Sequence, residues 1–179
     1  MPTRSKTFDL GIRGNMDRYS GGLPMKVWII YDSKYGHCKK LAETLENLLE
    51  GDYDVSVGNA KKISPTDVIA ESPYAVLVGG PLHFGKPSKM ITSWIKCFYQ
   101  ITLKTGLRVK KTFAFCTWCF SPLCEPSWQL LFQKYPFAKN VFSQILAIKV
   151  ADRDLPISFE KNPQIYEIIE NLKNFLFSE

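Results

Sequence analysis

From Lys26 onward, short apolar runs alternate with longer stretches whose apolar positions recur at intervals of three and four residues. The runs fall at 27–31, 53–57, 74–78, 112–116 and 145–150; their length and their β-branched and aromatic content predict strands. Between them, Leu41, Leu45, Leu48 and Leu49 form one stripe, and Ile91, Trp94, Ile95 and Phe98 form a second. Trp128, Leu131, Phe132 and Tyr135 make a third, and Ile165, Ile168, Ile169, Leu172 and Leu176 a fourth. Each stripe predicts a helix that buries one face. Ser64 followed by Pro65 has the form of an N-cap with proline in the first turn, which predicts a further short helix. The order βαβαβαβαβα predicts a three-layer, doubly wound α/β domain around a five-stranded parallel sheet.

The runs differ in a way that orders the sheet. "VWII" and "AVLV" are continuously apolar, as central strands buried on both faces are, whereas "YDVSV" alternates with Asp54 and Ser56 and suits an edge. An edge position for the second strand fits the order 2-1-3-4-5. Sheets of that order bind ligands at the carboxyl ends of the strands, beside the switch point between strands one and three. Three segments meet there: "DSKYGHC" after the first strand, "GGPLHFGKPSK" after the third and "TWCFSPLCEP" after the fourth. The first is a turn of small and hydroxyl residues running into a helix start. It aims backbone N–H groups and the positive end of the helix dipole at one spot, an arrangement that holds a phosphate.

Tyr-Asp-Ser-Lys-Tyr-Gly before a helix, then Gly-Gly-Pro with Phe-Gly-Lys-Pro-Ser-Lys, resembles the flavodoxin family over residues 25–179. The short stretch from 151 to 163 matches its short-chain form. The resemblance implies FMN as cofactor. It implies that Ser33, Lys34, Tyr35, Gly36, His37 and Cys38 surround the phosphate. Pro81, Leu82, His83, Phe84 and Gly85 would flank one side of the isoalloxazine, and Thr117, Trp118 and Cys119 the other. Phe84, Trp118 or Phe120 would supply flat apolar faces, and Gly85 can present either its carbonyl or its N–H to the flavin edge. Two positions depart from the family's pattern: Cys38 stands where Thr is usual, and His37 where Asn or a small polar residue is usual. A thiol is a poorer donor than a hydroxyl. Gly79, Gly80, Pro81, Gly85 and Pro87 read as a rigid, open loop with no packing requirement.

Composition narrows the setting. With 179 residues, 45% hydrophobic and 22% charged, the chain has the make-up of one globular domain. Residues 1–24 lack either periodicity and read as a flexible arm ahead of a domain at 25–179. No apolar run approaches a membrane span and no secretory signal opens the chain, so a cytoplasmic protein is expected. The net charge is +6, of which the opening segment carries +2, four cations against two carboxylates. No basic stripe accompanies a nucleic-acid motif, so the expectation is no nucleic acid and redox partner proteins of acidic character. Many flavodoxins are acidic, so either the partner differs from theirs or docking uses a local patch that the total charge hides.

The five cysteines read as reduced thiols. Cys116, Cys119 and Cys124 form a C-x2-C-x4-C set, with Cys38 or Cys97 as the only further thiols for a four-ligand metal site. Against this, Cys116 fits the end of a buried strand as an ordinary small apolar residue. His37 and His83 read as loop residues facing solvent, and no spacing suggests hydrolytic chemistry. Two classes stand. The resemblance implies an FMN-dependent redox protein, either an electron carrier or a small oxidoreductase. The departures leave a module with weak or lost FMN binding that acts through protein contacts, or that carries a cysteine-based metal or redox site after the fourth strand.

Overall fold

Apolar runs bounded by Gly, Pro and polar turns become strands, and the four stripes become helices that cover them. The computed structural model describes residues 24–119, 124–150 and 163–178. In chain order the elements are β1 (Lys26–Tyr31), α1 (His37–Leu49), β2 (Asp54–Asn59), α2 (Pro65–Ala70), β3 (Ala75–His83), β4 (Lys86–Pro87), α3 (Lys89–Thr105), β5 (Val109–Trp118), α4 (Cys124–Lys134), β6 (Ala138–Lys149) and α5 (Pro163–Phe177). The parallel order is β2-β1-β3-β5-β6, with β4 paired only to β3. This is the order expected from the sequence, with one short antiparallel strand added. The arm expected at 1–24 lies almost wholly outside the described residues.

Alternation along each strand divides the core in two. Trp28 and Ile30 of β1 face α2, α3 and α4, packing with Val68, Ile91, Trp94, Phe98 and Trp128. Val27, Ile29 and Tyr31 face α1 and α5, packing with Leu41, Leu45, Leu49, Ile169 and Leu172. In the first layer the Trp94 and Phe98 rings stack at 5.0 Å, and Phe98 meets Phe137 edge-on at 5.3 Å. In the second, Lys111 of β5 is buried, and its ammonium donates to the carbonyls of Phe175, Leu176 and Ser178. A cation there satisfies carbonyls that the last turn of α5 leaves without helical partners.

The strands β6, β5 and β3 extend well beyond their predicted runs. β6 begins at Ala138, seven residues before the apolar run at 145, because Lys139 to Gln144 lie along an exposed sheet edge where polar residues are tolerated. β5 extends from Val109 to Trp118, beyond the apolar run at 112–116 on both sides. β3 runs on through His83, since Gly79, Gly80 and Pro81 continue to pair with Phe115, Cys116 and Thr117. Gly79 and Gly80, expected in an open loop, are therefore strand residues. Gly79 has a packing reason, since a Cβ at that position would lie 2.1 Å from the buried Phe115 ring.

That contact generates a test. Gly79→Ala should destabilise the fold by roughly 1–3 kcal/mol, the usual cost of overpacking, measured by urea unfolding. Gly79→Ala combined with Phe115→Leu should recover part of the loss. Equal stability of Gly79→Ala and the parent would contradict the packing.

Candidate functional site

The carboxyl ends of β1, β3, β5 and β6 open onto a cavity of about 750 Å³. Lys34, Tyr35 and His37 come from the turn after β1, Pro81 to Gly85 from the end of β3, and Thr117, Trp118 and Cys119 from the end of β5. Eleven of the fourteen residues named from the sequence thus line one space. The other three, Ser33, Gly36 and Cys38, are not among its lining residues. Val150 completes the lining and was not anticipated, although its place at the end of the fifth apolar run is the signal that would have found it. The cavity lies within the roughly 300–1,000 Å³ of pockets that take cofactor-sized ligands.

The first wall is the start of α1. Gly36 has φ 89°, a left-handed conformation that other residues adopt at a cost, and a Cβ there would meet open space. Glycine is needed for the turn itself, and nothing crowds the approach to it. Ser33 Oγ accepts the Gly36 N–H at 3.0 Å and so shapes the turn, while Lys40 N–H closes the first helical bond to Gly36 at 2.9 Å. No side chain caps α1 and no acidic residue sits in its first turn. By contrast, α2 is capped by Ser64 and α3 by Ser88. The positive end of α1, with Lys34 beside it, is therefore suited to an anion.

The second wall is a two-residue hairpin. His83 pairs with Lys86 and Leu82 with Pro87, leaving Phe84 and Gly85 as the turn. Both have positive φ, 49° and 73°. Two positive φ values make the turn type I′, which favours Asn-Gly. A phenylalanine in the first position is strained by about 1–3 kcal/mol, and here its side chain is fully exposed, with no burial to offset that. The Ser127 hydroxyl of α4 donates to the Gly85 carbonyl and fixes the turn from outside. Nothing in the pattern of the sequence marks Ser127.

The third wall is the end of β5. Trp118 carries the Lys149 ammonium 5.6 Å from its ring, and Val150 N–H donates to the Trp118 carbonyl at 2.8 Å. Residues 120–123, Phe120 among them, and the side chain of Cys124 lie outside the described residues.

The four described cysteines differ in their surroundings. Cys116 is buried in β5, Cys97 is exposed on α3 and Cys119 is half-buried at the cavity. Among the described residues no three His, Cys, Asp or Glu side chains come together to hold a metal ion. Cys38 is 1% exposed, with its sulfur 3.1 Å from Thr117 Oγ1. Its sulfur is thus paired with a residue of the opposite wall. Burial, against the smaller opposing effect of the Thr117 hydrogen bond, pushes the Cys38 thiol from 9.0 up to about 12. The thiol therefore stays protonated despite its place at a helix start.

The sign of the linkage follows. A group that holds its proton more tightly when folded contributes full stability below the unfolded value, and that contribution is lost as pH rises from about 9 toward 12. At pH 8, iodoacetamide should label exposed Cys97 well before Cys38, read by peptide mass spectrometry. Comparable labelling rates would contradict the buried, neutral thiol. Cys38→Ala should flatten the fall in stability above pH 9.

Among the described residues no helix is long and apolar enough to cross a membrane. No family model matches the sequence, and no curated protein does. Similarity to solved structures is clear. A flavodoxin from the domain Archaea aligns with a TM-score of 0.63 and 16% identity, over 86% of this chain and 100% of that one. The two-electron reduced flavodoxin of Megasphaera elsdenii aligns at 0.59 and 18%, over 80% and 96%. Rubredoxin oxygen:oxidoreductase from Desulfovibrio gigas aligns at 0.64 and 19%, over 86% of this chain and 36% of that one. The chain spans about a third of the length of this oxidoreductase and of the flavodiiron proteins it also matches. At these identities the likeness is one of architecture, and strand order, layering and the carboxyl-end cavity agree with it: the chain has a flavodoxin-like fold.

Proposed function

We propose that the chain binds FMN in this cavity and serves as a redox protein that exchanges electrons with protein partners in the cytoplasm. One observation carries the reading: the uncapped start of α1 and the strained Phe84–Gly85 turn face one cavity from opposite walls. Bound flavin would supply one- and two-electron transfer. The residues present suit it. The first-turn N–H groups of α1 and the Lys34 ammonium would hold the phosphate, while Ser33 keeps its hydroxyl hydrogen available as a donor. Tyr35, Phe84 and Trp118 would offer aromatic faces to the ring system. Gly85 would meet the flavin edge through its backbone.

Exchange with proteins is favoured over an enclosed substrate site because Tyr35 and Phe84 are 47% and 103% exposed at the rim. Thiols outside any disulfide at Cys38, Cys97, Cys116 and Cys119 suit a reducing compartment. One observation favours the second class: the Cys38 sulfur is paired with Thr117 and adds no hydroxyl donor to the loop. A purified protein that neither carries flavin nor takes it up would assign the chain to that class.

Titrating the apo-protein with FMN and with riboflavin tests the phosphate site. A phosphate held by charge-assisted hydrogen bonds at roughly 1.5–3 kcal/mol each should make FMN bind at least about ten-fold more tightly. Equal affinities would sink the assignment. Phe84→Asn turns the hairpin into the favoured Asn-Gly, so stability to urea should rise by about 1 kcal/mol while FMN affinity falls and flavin emission recovers. Higher stability with unchanged affinity would show that the aromatic ring has no part in binding.

A further inference from the structure

The Phe84–Gly85 hairpin has a second side. Behind it, between the start of α3 and the exposed face of α4, lies an open groove of about 1380 Å³ that shares Lys34, Pro81, His83 and Phe84 with the cofactor cavity. Five lysines converge on it from five places in the chain: Lys34 after β1, Lys61 after β2, Lys86 on β4, Lys89 on α3 and Lys134 on α4. One carboxylate joins them, Asp32, which is buried and accepts the Ser88 hydroxyl at 2.6 Å. Five ammonium groups and one carboxylate make +4, against +6 for the whole chain. Among the described residues none of the five takes part in an ion pair; those that form use Lys26, Lys39 and Lys173. The groove also presents exposed apolar side chains, Phe84 fully, Leu130 65% and Met90 37%, beside hydroxyl residues such as Thr92 and Ser93.

We infer that this groove docks an acidic segment of a partner protein, one that sets carboxylates against the lysines and places an apolar side chain between Phe84, Met90 and Leu130. As the electron donor or acceptor of the proposed redox function, such a partner rests on that reading. Lysines gathered without counter-charges repel one another and are relieved by an anion, and complementary potentials steer encounter. The size argues for a chain segment, because pockets for small ligands span about 300–1,000 Å³ and are more enclosed. The chain's own opening segment, at +2, has the wrong sign to fill it. Continuity through the hairpin brings a segment seated here to the mouth of the cofactor cavity.

The test uses the full chain and a fluorescent synthetic peptide of Glu and Asp residues around a central Phe, followed by anisotropy with and without FMN. Wild-type protein should bind it, more weakly as salt is raised. The triple variant Lys61→Glu, Lys89→Glu, Lys134→Glu should weaken binding by about ten-fold or more. Lys104→Glu, Lys110→Glu, Lys139→Glu changes the net charge equally outside the groove and should stay within about two-fold of wild type. No binding by wild type, equal losses in both triple variants, or displacement by pyrophosphate at the peptide's own concentration would overturn the inference, the last by making it a small-anion site. A chain that takes FMN but shows no groove-dependent peptide binding refutes the docking alone. One that binds the peptide through these lysines but takes no FMN refutes the cofactor reading alone.

Discussion

The helix that follows β1 packs on one face of the sheet and the helix that follows β3 packs on the other, although the two strands are paired side by side. Two chain segments leaving adjacent strand ends in opposite directions cannot cover the space between them. That divergence opens the cavity and places the start of α1 opposite the Phe84–Gly85 turn. The paired strands keep the two walls together: Asp32 N–H donates to the Gly79 carbonyl at 2.9 Å, just where the paths separate. The hydrophobic layers below hold the opening, since Leu41 and Leu45 anchor α1 on one side while Ile91 and Trp94 anchor α3 on the other.

The carboxyl end also holds arrangements that the core does not require. Phe84 sits fully exposed in a backbone conformation that favours asparagine or glycine. The α1 start lacks the side-chain cap that α2 and α3 possess. A strained residue persists where its surroundings over-determine it, and here strand pairing on both sides of the turn and the Ser127 hydroxyl do so. Cys38 shows the opposite case. A residue at a helix start, where a thiolate is favoured, is kept neutral because the sheet buries it against Thr117.

Much of this was legible in the sequence, for identifiable reasons. Continuous runs against an alternating one ordered the strands, because burial on two faces and on one leaves different patterns. The switch-point rule then brought Lys34, Tyr35, His37, Phe84, Gly85, Thr117 and Trp118 into one place without knowledge of any contact. The pattern failed where pairing alone defines structure. The polar first half of β6 is held by its ladder to β5 and carries no apolar signature. The continuation of β3 through Gly79 and Gly80 looked like a loop because its glycines answer to the Phe115 ring, and no local rule reports a ring on a neighbouring strand. The lysine groove was visible only as a mild net charge, since its five cations are scattered through the chain and meet only in space.

The hairpin between β3 and β4 is the partition between two chambers, and a partition has no private side. Phe84, His83 and Pro81 face both spaces, so any tilt of the turn that widens one chamber narrows the other. Occupancy of the two chambers is then a single thermodynamic problem. Whatever factor a molecule in the groove imposes on affinity in the cavity, the cavity's occupant returns to the groove undiminished. A wall two residues thick at its tip, latched by one serine to α4, is the element through which the occupancies of the two chambers become one equilibrium.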